Sequence, residues 1–406
     1  MRPTTPCLDG PAPMGALSVI LPTPGQTLLL RACLCSGDAS RQAWRQWLER
    51  AGDPKEALAA RGLGSRRLLP LLFDVVQRNG LAADKALMTH LKTANFRDEL
   101  RSTAYRAVCS EAIGVLGGAG VRAVVLRGFA LAETVYPEPV LRHCHDLDLW
   151  VTEHDLPCAG DALAASGYAR VRPGGTAARS LVLRHRSGVD VQLHTALCRL
   201  GYYEPPLDEM RERTRPCEVA GTPAWELSPA DALLHVCGHA AESGSRENLC
   251  WAADAWFLIT RSADLDWGLV ADCALRGRLA LPVALMLSYL AGELEAPVPP
   301  AVLERLNVAA AQADGMAREA ALLGAHRGTR GSLRSLVCAA GGWGDKAFVL
   351  RWALFPSPAY VRWVYGVRGF RAMAGWYAGR LARGLRRCLS RRGGMRGNRR
   401  RRQPPQ

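Results

Sequence analysis

The chain has 406 residues, 49% of them hydrophobic, with 40 Gly and 25 Pro. That length supports two or three ordinary domains with a sizeable core, and the composition excludes a collagen-like or wholly disordered chain. The net charge of +15 is local: residues 346–406 carry 16 Lys and Arg and no acid, which leaves 36 basic against 37 acidic residues elsewhere. An acidic partner is therefore expected to meet the C-terminal region and not the body.

In chain order, residues 1–26 are Pro-rich and predict a disordered N-terminus. Residues 27–118 read as a helical region, with apolar residues at three- and four-residue spacing over Gln42–Ala51, Arg67–Asn79 and Lys85–Leu116. The pattern then changes. Val121–Leu126 and Asp146–Val151 predict strands, Asp155–Ser166 a helix, and Tyr168–Arg172, Ser180–Arg186 and Val189–His194 further strands, the last two joined by a tight Ser187-Gly188 turn. Residues 119–220 thus form a small α/β core. Ser228-Pro229-Ala230-Asp231 starts a second helical region over 221–335, with Ser as cap and Pro at the first helical position. Residues 336–406 are a basic, aromatic tail, expected to be disordered at its end.

Thirteen scattered Cys without a C-x-x-C pair read as small core residues in a reducing compartment. The most apolar stretch, Leu279–Ala291, is too short to span a bilayer. The expected location is the cytoplasm, with the tail able to bring the protein to a membrane surface.

The chemistry concentrates in two alternating strands. In His145-Asp146-Leu147-Asp148-Leu149-Trp150-Val151 the two acids share one face and the leucines the other. In Val189-Asp190-Val191-Gln192-Leu193-His194 the polar residues again share a face. Adjacent carboxylates repel unless a cation neutralises them, and oxygen-only ligands suit Mg²⁺ (or Mn²⁺). If the strands are neighbours, Asp146, Asp148 and Asp190 can hold the ions of a phosphoryl- or nucleotidyl-transfer clamp, with Asp190 nearest the acceptor proton. Upstream, Arg127-Gly128 ends a strand and begins a helix, where a phosphate can approach the backbone. Arg127 and Arg142 can pair with phosphate oxygens.

Leu126-Arg127-Gly128, Tyr136-Pro137, Arg142, Asp146-Leu147-Asp148-Leu149 and Val189-Asp190-Val191-Gln192-Leu193-His194 together resemble the uncharacterised bacterial nucleotidyltransferase family, a branch of the polymerase-β-like superfamily. The resemblance extends loosely over residues 27–300. Arg127 stands where the family pattern has Lys. Phe129 stands where the wider superfamily has Ser. The resemblance implies an α+β fold, a small mixed-sheet core flanked by N- and C-terminal helical regions. It implies metal-dependent transfer of an NMP from an NTP to an unidentified acceptor. The alternative is a non-catalytic module of the same fold that binds a nucleotide or a partner protein.

His235 and His239 share a helix face with Glu242, but the H-E-x-x-H pattern is absent; hydrogen bonding across a helix–core interface is expected. In the tail, Phe370, Met373, Tyr377, Leu381, Leu385 and Cys388 form an apolar stripe amid arginines, a composition that suits an anionic membrane surface or nucleic acid.

Overall fold

The computed structural model describes residues 15–59, 64–171, 180–243, 246–325, 329–356 and 358–397. The predicted disorder of residues 1–14 and of the last nine residues lies outside these, as do Arg172 and the side chains of the stripe beyond Arg383.

Seven strands form one mixed sheet: β1 (Val124–Val125), β2 (Leu147–Trp150), β3 (Ala169–Val171), β4 (Ser180–Arg184), β5 (Asp190–His194), β6 (Arg215–Val219) and β7 (Thr222–Glu226), in spatial order β3-β4-β5-β2-β1-β7-β6. The two acid-bearing strands are direct neighbours. β2 and β5 run parallel, with Asp148 opposite Gln192 and Trp150 opposite His194. β1 lies antiparallel to β2 on its other side and parallel to β7. The β4–β5 hairpin closes through Gly188, whose φ of +88° requires a residue without a side chain. The β6–β7 hairpin has no counterpart among the strands expected from the sequence.

Alternation sorts the two faces. Leu147, Leu149, Val151, Val191 and Leu193 point into an apolar layer against Val108, Ala112 and Leu116 of the long helix Lys85–Gly118 and Leu156 and Leu163 of the helix Leu156–Ala165. Burying each such aliphatic side chain stabilises the fold by about 1.5–3 kcal/mol, so a one-residue slip of β2 or β5 is strongly disfavoured. The opposite face carries Asp146, Asp148, Gln192 and His194. It is covered by a larger helical core that includes the helices Pro229–Ser243, Cys250–Arg261 and Ala280–Leu294.

Capping sets the helix starts. Asp84 accepts from the Leu87 N–H (2.7 Å) at the head of Lys85–Gly118. Ser228 Oγ accepts from the Asp231 N–H (3.2 Å), and Asp231 is clamped in turn by Arg213. At the N-terminus, helical structure begins inside the segment expected to be disordered: Gly15–Ile20 is a 3-10 helix, and Pro24–Leu34 is an α-helix with a reciprocal Thr23–Gln26 capping box.

Part of the tail packs on the body. Trp352 lies so close over Gly201 that a Cβ there would overlap its ring, and Val349 is buried in the helical core. Trp343 and Phe370 stand almost fully exposed. Among the described residues no helix is long and apolar enough to cross a membrane.

Candidate active site

The turn from β1 into the helix Arg127–Thr134 brings Arg127 to Asp148. Arg127 holds a φ of +35°, unusual for a residue with a side chain and costly by about 1–3 kcal/mol. Its Nη2 donates to Asp148 Oδ2 (2.6 Å), while His194 Nε2 lies 2.8 Å from Asp148 Oδ1. Burial alone would raise the Asp148 pKa, but Arg127 and His194 together hold it well below the usual carboxylate range. Arg127 Nη1 is buried with no hydrogen-bond partner.

Asp146 differs. Gln192 Nε2 donates to its Oδ2 (3.2 Å), and His145 Nε2 stands 3.5 Å away. Burial and the neighbouring Asp148 charge push the Asp146 pKa up to about 6, and burial holds His145 neutral, down to about 3. Asp146 is thus a carboxylate short of positive charge. Without divalent ions, the folded protein keeps a proton on Asp146 between about pH 4 and 6, where the unfolded chain has lost it. Wild-type stability is therefore expected to fall as the pH rises through that window, and Asp146→Asn to remove this contribution. Urea unfolding of both proteins in chelator from pH 4 to 7 measures it; parallel curves would contradict it.

Asp190 lies beside Asp146 if the β2–β5 register is continued by one residue. It is bound by its cross-strand neighbour: Arg184 Nε and Nη2 donate to its two oxygens at 2.7 and 3.0 Å. With Asp148 held by Arg127 and Asp190 by Arg184, the three aspartates expected to act together form a pair and a separately neutralised neighbour. Among the described residues, no three His, Cys, Asp or Glu side chains are grouped to hold an ion. The donor chemistry at Asp146 and Asp148 itself fits a hard divalent cation.

The pair opens on a cleft of about 220 Å³, lined also by Arg67, Arg127, Gly128, Arg142, His239 and Trp251. Asp190 is not among the lining residues. Arg142 reaches the cleft from below. Its Nε and Nη2 donate to Asp254 Oδ1 and Oδ2, each at 2.7 Å, and the Tyr136 hydroxyl donates to Asp254 Oδ1 (2.7 Å). The guanidinium therefore supports the cleft floor. Gly128 rests on it: a Cβ there would stand 3.3 Å from both terminal nitrogens of Arg142. The absent side chain makes room for Arg142. Because Asp254 fixes that guanidinium, Gly128→Ala is expected to cost about 1–3 kcal/mol by overpacking. A chemical-denaturation midpoint equal to wild type would contradict it.

Sequence reasoning did not find Arg67, or His194 as the Asp148 partner; it read Asp254 as a capped or paired helix residue but not its partner Arg142, 112 residues away in the chain. The His235–His239–Glu242 face does sit at a helix–core interface. Glu242 accepts from the backbone N–H groups of Arg199 and Leu200 (2.8 and 2.7 Å), and burial keeps both histidines neutral.

No curated protein matches the chain. Among solved structures it is similar to an antigenic nucleotidyltransferase-like protein from Paracoccidioides brasiliensis, at 16% identity and a TM-score of 0.30, covering 49% of this chain and 96% of that one. A family model described as uncharacterised nucleotidyltransferase matches residues 58–295, more than half of the chain. The chain belongs to the uncharacterised nucleotidyltransferase family.

Proposed function

We propose that the protein is a metal-dependent nucleotidyltransferase of the polymerase-β-like type, moving an NMP from an NTP to an acceptor. The observation that carries this reading is the Asp146–Asp148 pair: two carboxylates, one just before β2 and one on it, facing a cleft, one of them short of a cation. Asp146 and Asp148 would hold Mg²⁺ (or Mn²⁺), joined by Asp190 on its release from Arg184. The bound ion would supply charge neutralisation at the triphosphate and activation of the acceptor hydroxyl.

The chain's own residues do the rest. Arg67 and Arg127 present guanidinium groups to the cleft for phosphate oxygens, and Trp251 offers an aromatic wall. The acceptor oxygen bonds to the α-phosphorus as the bond to the β-phosphate bridging oxygen breaks. Pyrophosphate leaves, and the hydroxyl proton would pass to Asp190 only after Asp190 leaves Arg184 and turns to the cleft. The test is transfer of label from an α-labelled NTP, with Asp146→Asn as the control.

A second reading, a nucleotide-binding module without turnover, draws support from the arginines that already neutralise Asp148 and Asp190. For the C-terminal region we propose contact with an anionic surface, membrane or nucleic acid, supported by exposed Trp343 and Phe370 beside a stretch rich in Arg and free of acids. A cytoplasmic location, peripheral to the membrane, is part of the same proposal.

A further inference from the structure

The last three helices, Trp343–Leu354, Pro358–Tyr365 and Phe370–Gly397, meet in one aromatic cluster. Tyr377 packs on Phe355, with ring centroids 5.6 Å apart, and on Trp376 at 5.3 Å, while Trp376 packs on Tyr365 at 4.9 Å. The Tyr377 hydroxyl donates to the Pro356 carbonyl (2.6 Å) and Arg380 Nη2 to that of Ala353 (3.1 Å), which ties the third helix to the end of the first. The cluster is not covered: Phe355 is 47% exposed and Tyr365 41%. Phe370 precedes Met373 by three residues and Tyr377 by seven, so it continues the same helix face beyond the cluster, where it stands 88% exposed.

The same stretch carries Arg351, Arg362, Arg368, Arg371 and Arg383, all exposed. None of the five has an ion-pair partner among the described residues, and no acid follows Asp345 in the chain. The charges acting on Tyr377 are those of Arg380 and Arg362, both positive. The body treats its surface arginines differently: Arg170, Arg276 and Arg305 are each matched to an acid. Uncovered apolar area beside unmatched cations is the combination that an anionic bilayer surface rewards. Nucleic acid would meet the arginines equally well, but its bases bind by stacking on open ring faces. Here Phe355, Tyr365, Trp376 and Tyr377 already pack on one another, and the exposed Phe370 is followed on its face by an aliphatic residue.

We propose that this face docks on a bilayer containing anionic lipid, with Phe370 entering the interfacial layer and the unmatched arginines meeting headgroup phosphates. This rests on the anionic contact read above for the C-terminal region and commits it to lipid.

The test is co-sedimentation of the full chain with vesicles of phosphatidylcholine alone, and of phosphatidylcholine and phosphatidylglycerol in equal parts. Binding is expected to the anionic vesicles and should weaken as salt rises. Phe370→Ser should lower the affinity about tenfold, the scale for withdrawing one aromatic ring from an apolar layer. Arg368→Ala with Arg371→Ala should lower it by about tenfold or more. Phe96→Ser, at a ring 59% exposed on the helix Lys85–Gly118, should leave it unchanged. No binding to anionic vesicles, equal binding to both kinds, or a loss no larger in Phe370→Ser than in Phe96→Ser would overturn the docking. A single-stranded RNA and a DNA duplex of random sequence separate it from the broader reading. Nucleic-acid binding through Arg368 and Arg371 without vesicle binding would overturn the lipid assignment and leave the anionic contact standing. Binding to neither would overturn both.

Discussion

Asp254→Ala is expected to destabilise the protein by about 3–5 kcal/mol, the scale seen when one partner of a buried ion pair is removed. Arg142 and Asp254 are both buried and joined by two parallel hydrogen bonds, and Tyr136 adds a third to the same carboxylate. Removing the carboxylate strands a guanidinium and a phenol away from water. Gly128 rests on that guanidinium, so the β1-to-helix turn should loosen with it. Urea denaturation reads the effect as a lower midpoint at unchanged slope. The double replacement Arg142→Met with Asp254→Leu should recover most of the loss, because no buried charge is left unpaired. A cost below about 1 kcal/mol for Asp254→Ala would mean that water reaches the pair freely.

The second large effect concerns chemistry, and the two neighbouring aspartates should differ in how they show it. Asp146→Asn and Asp148→Asn are each expected to reduce transfer by on the order of 10³-fold, since either removes a charge on which the site depends. They should part on stability. Asp148 bonds both Arg127 and His194, so its neutralisation leaves a buried guanidinium undercompensated and should cost a few kcal/mol, about what a weakened buried pair costs. Asp146 has one long hydrogen bond and an unfavourable neighbour, so its neutralisation should leave stability equal or higher above pH 6. Equal destabilisation by both would contradict the assigned charge distribution.

Much of this arrangement was legible in the residues. Alternation in Asp146–Val151 and Val189–His194 announced two strands with polar and apolar faces, and the structure makes them parallel neighbours. Ser228 and the acid at Asp231 marked a helix start that the hydrogen bonds bear out. The β6–β7 hairpin was hidden because Pro216, Pro223 and scattered charges interrupt its pattern, as suits an edge hairpin. β1 is shorter than the run Val121–Leu126 because Val121 and Ala123 bond locally, closing off the preceding helix.

Pairings set by tertiary packing left no local trace. No spacing rule ties Arg142 to Asp254 or Arg127 to Asp148, and an arginine matched to a distant aspartate reads in sequence like one awaiting a phosphate. Gly128 suggested a turn that a phosphate can approach; that a side chain from residue 142 packs against it left no trace in the sequence. His235 and His239 showed a shared face, but only the fold placed one at each of two adjoining cavities.

The most direct measurement is incubation of the purified full chain with each α-labelled NTP, Mg²⁺ and an extract of the source organism, run beside Asp146→Asn. Label transferred to a discrete product with release of pyrophosphate, lost in chelator and in Asp146→Asn, is the predicted result. Undiminished transfer by Asp146→Asn, or tight Mg²⁺–NTP binding with no labelled product from any of the four nucleotides, would contradict it.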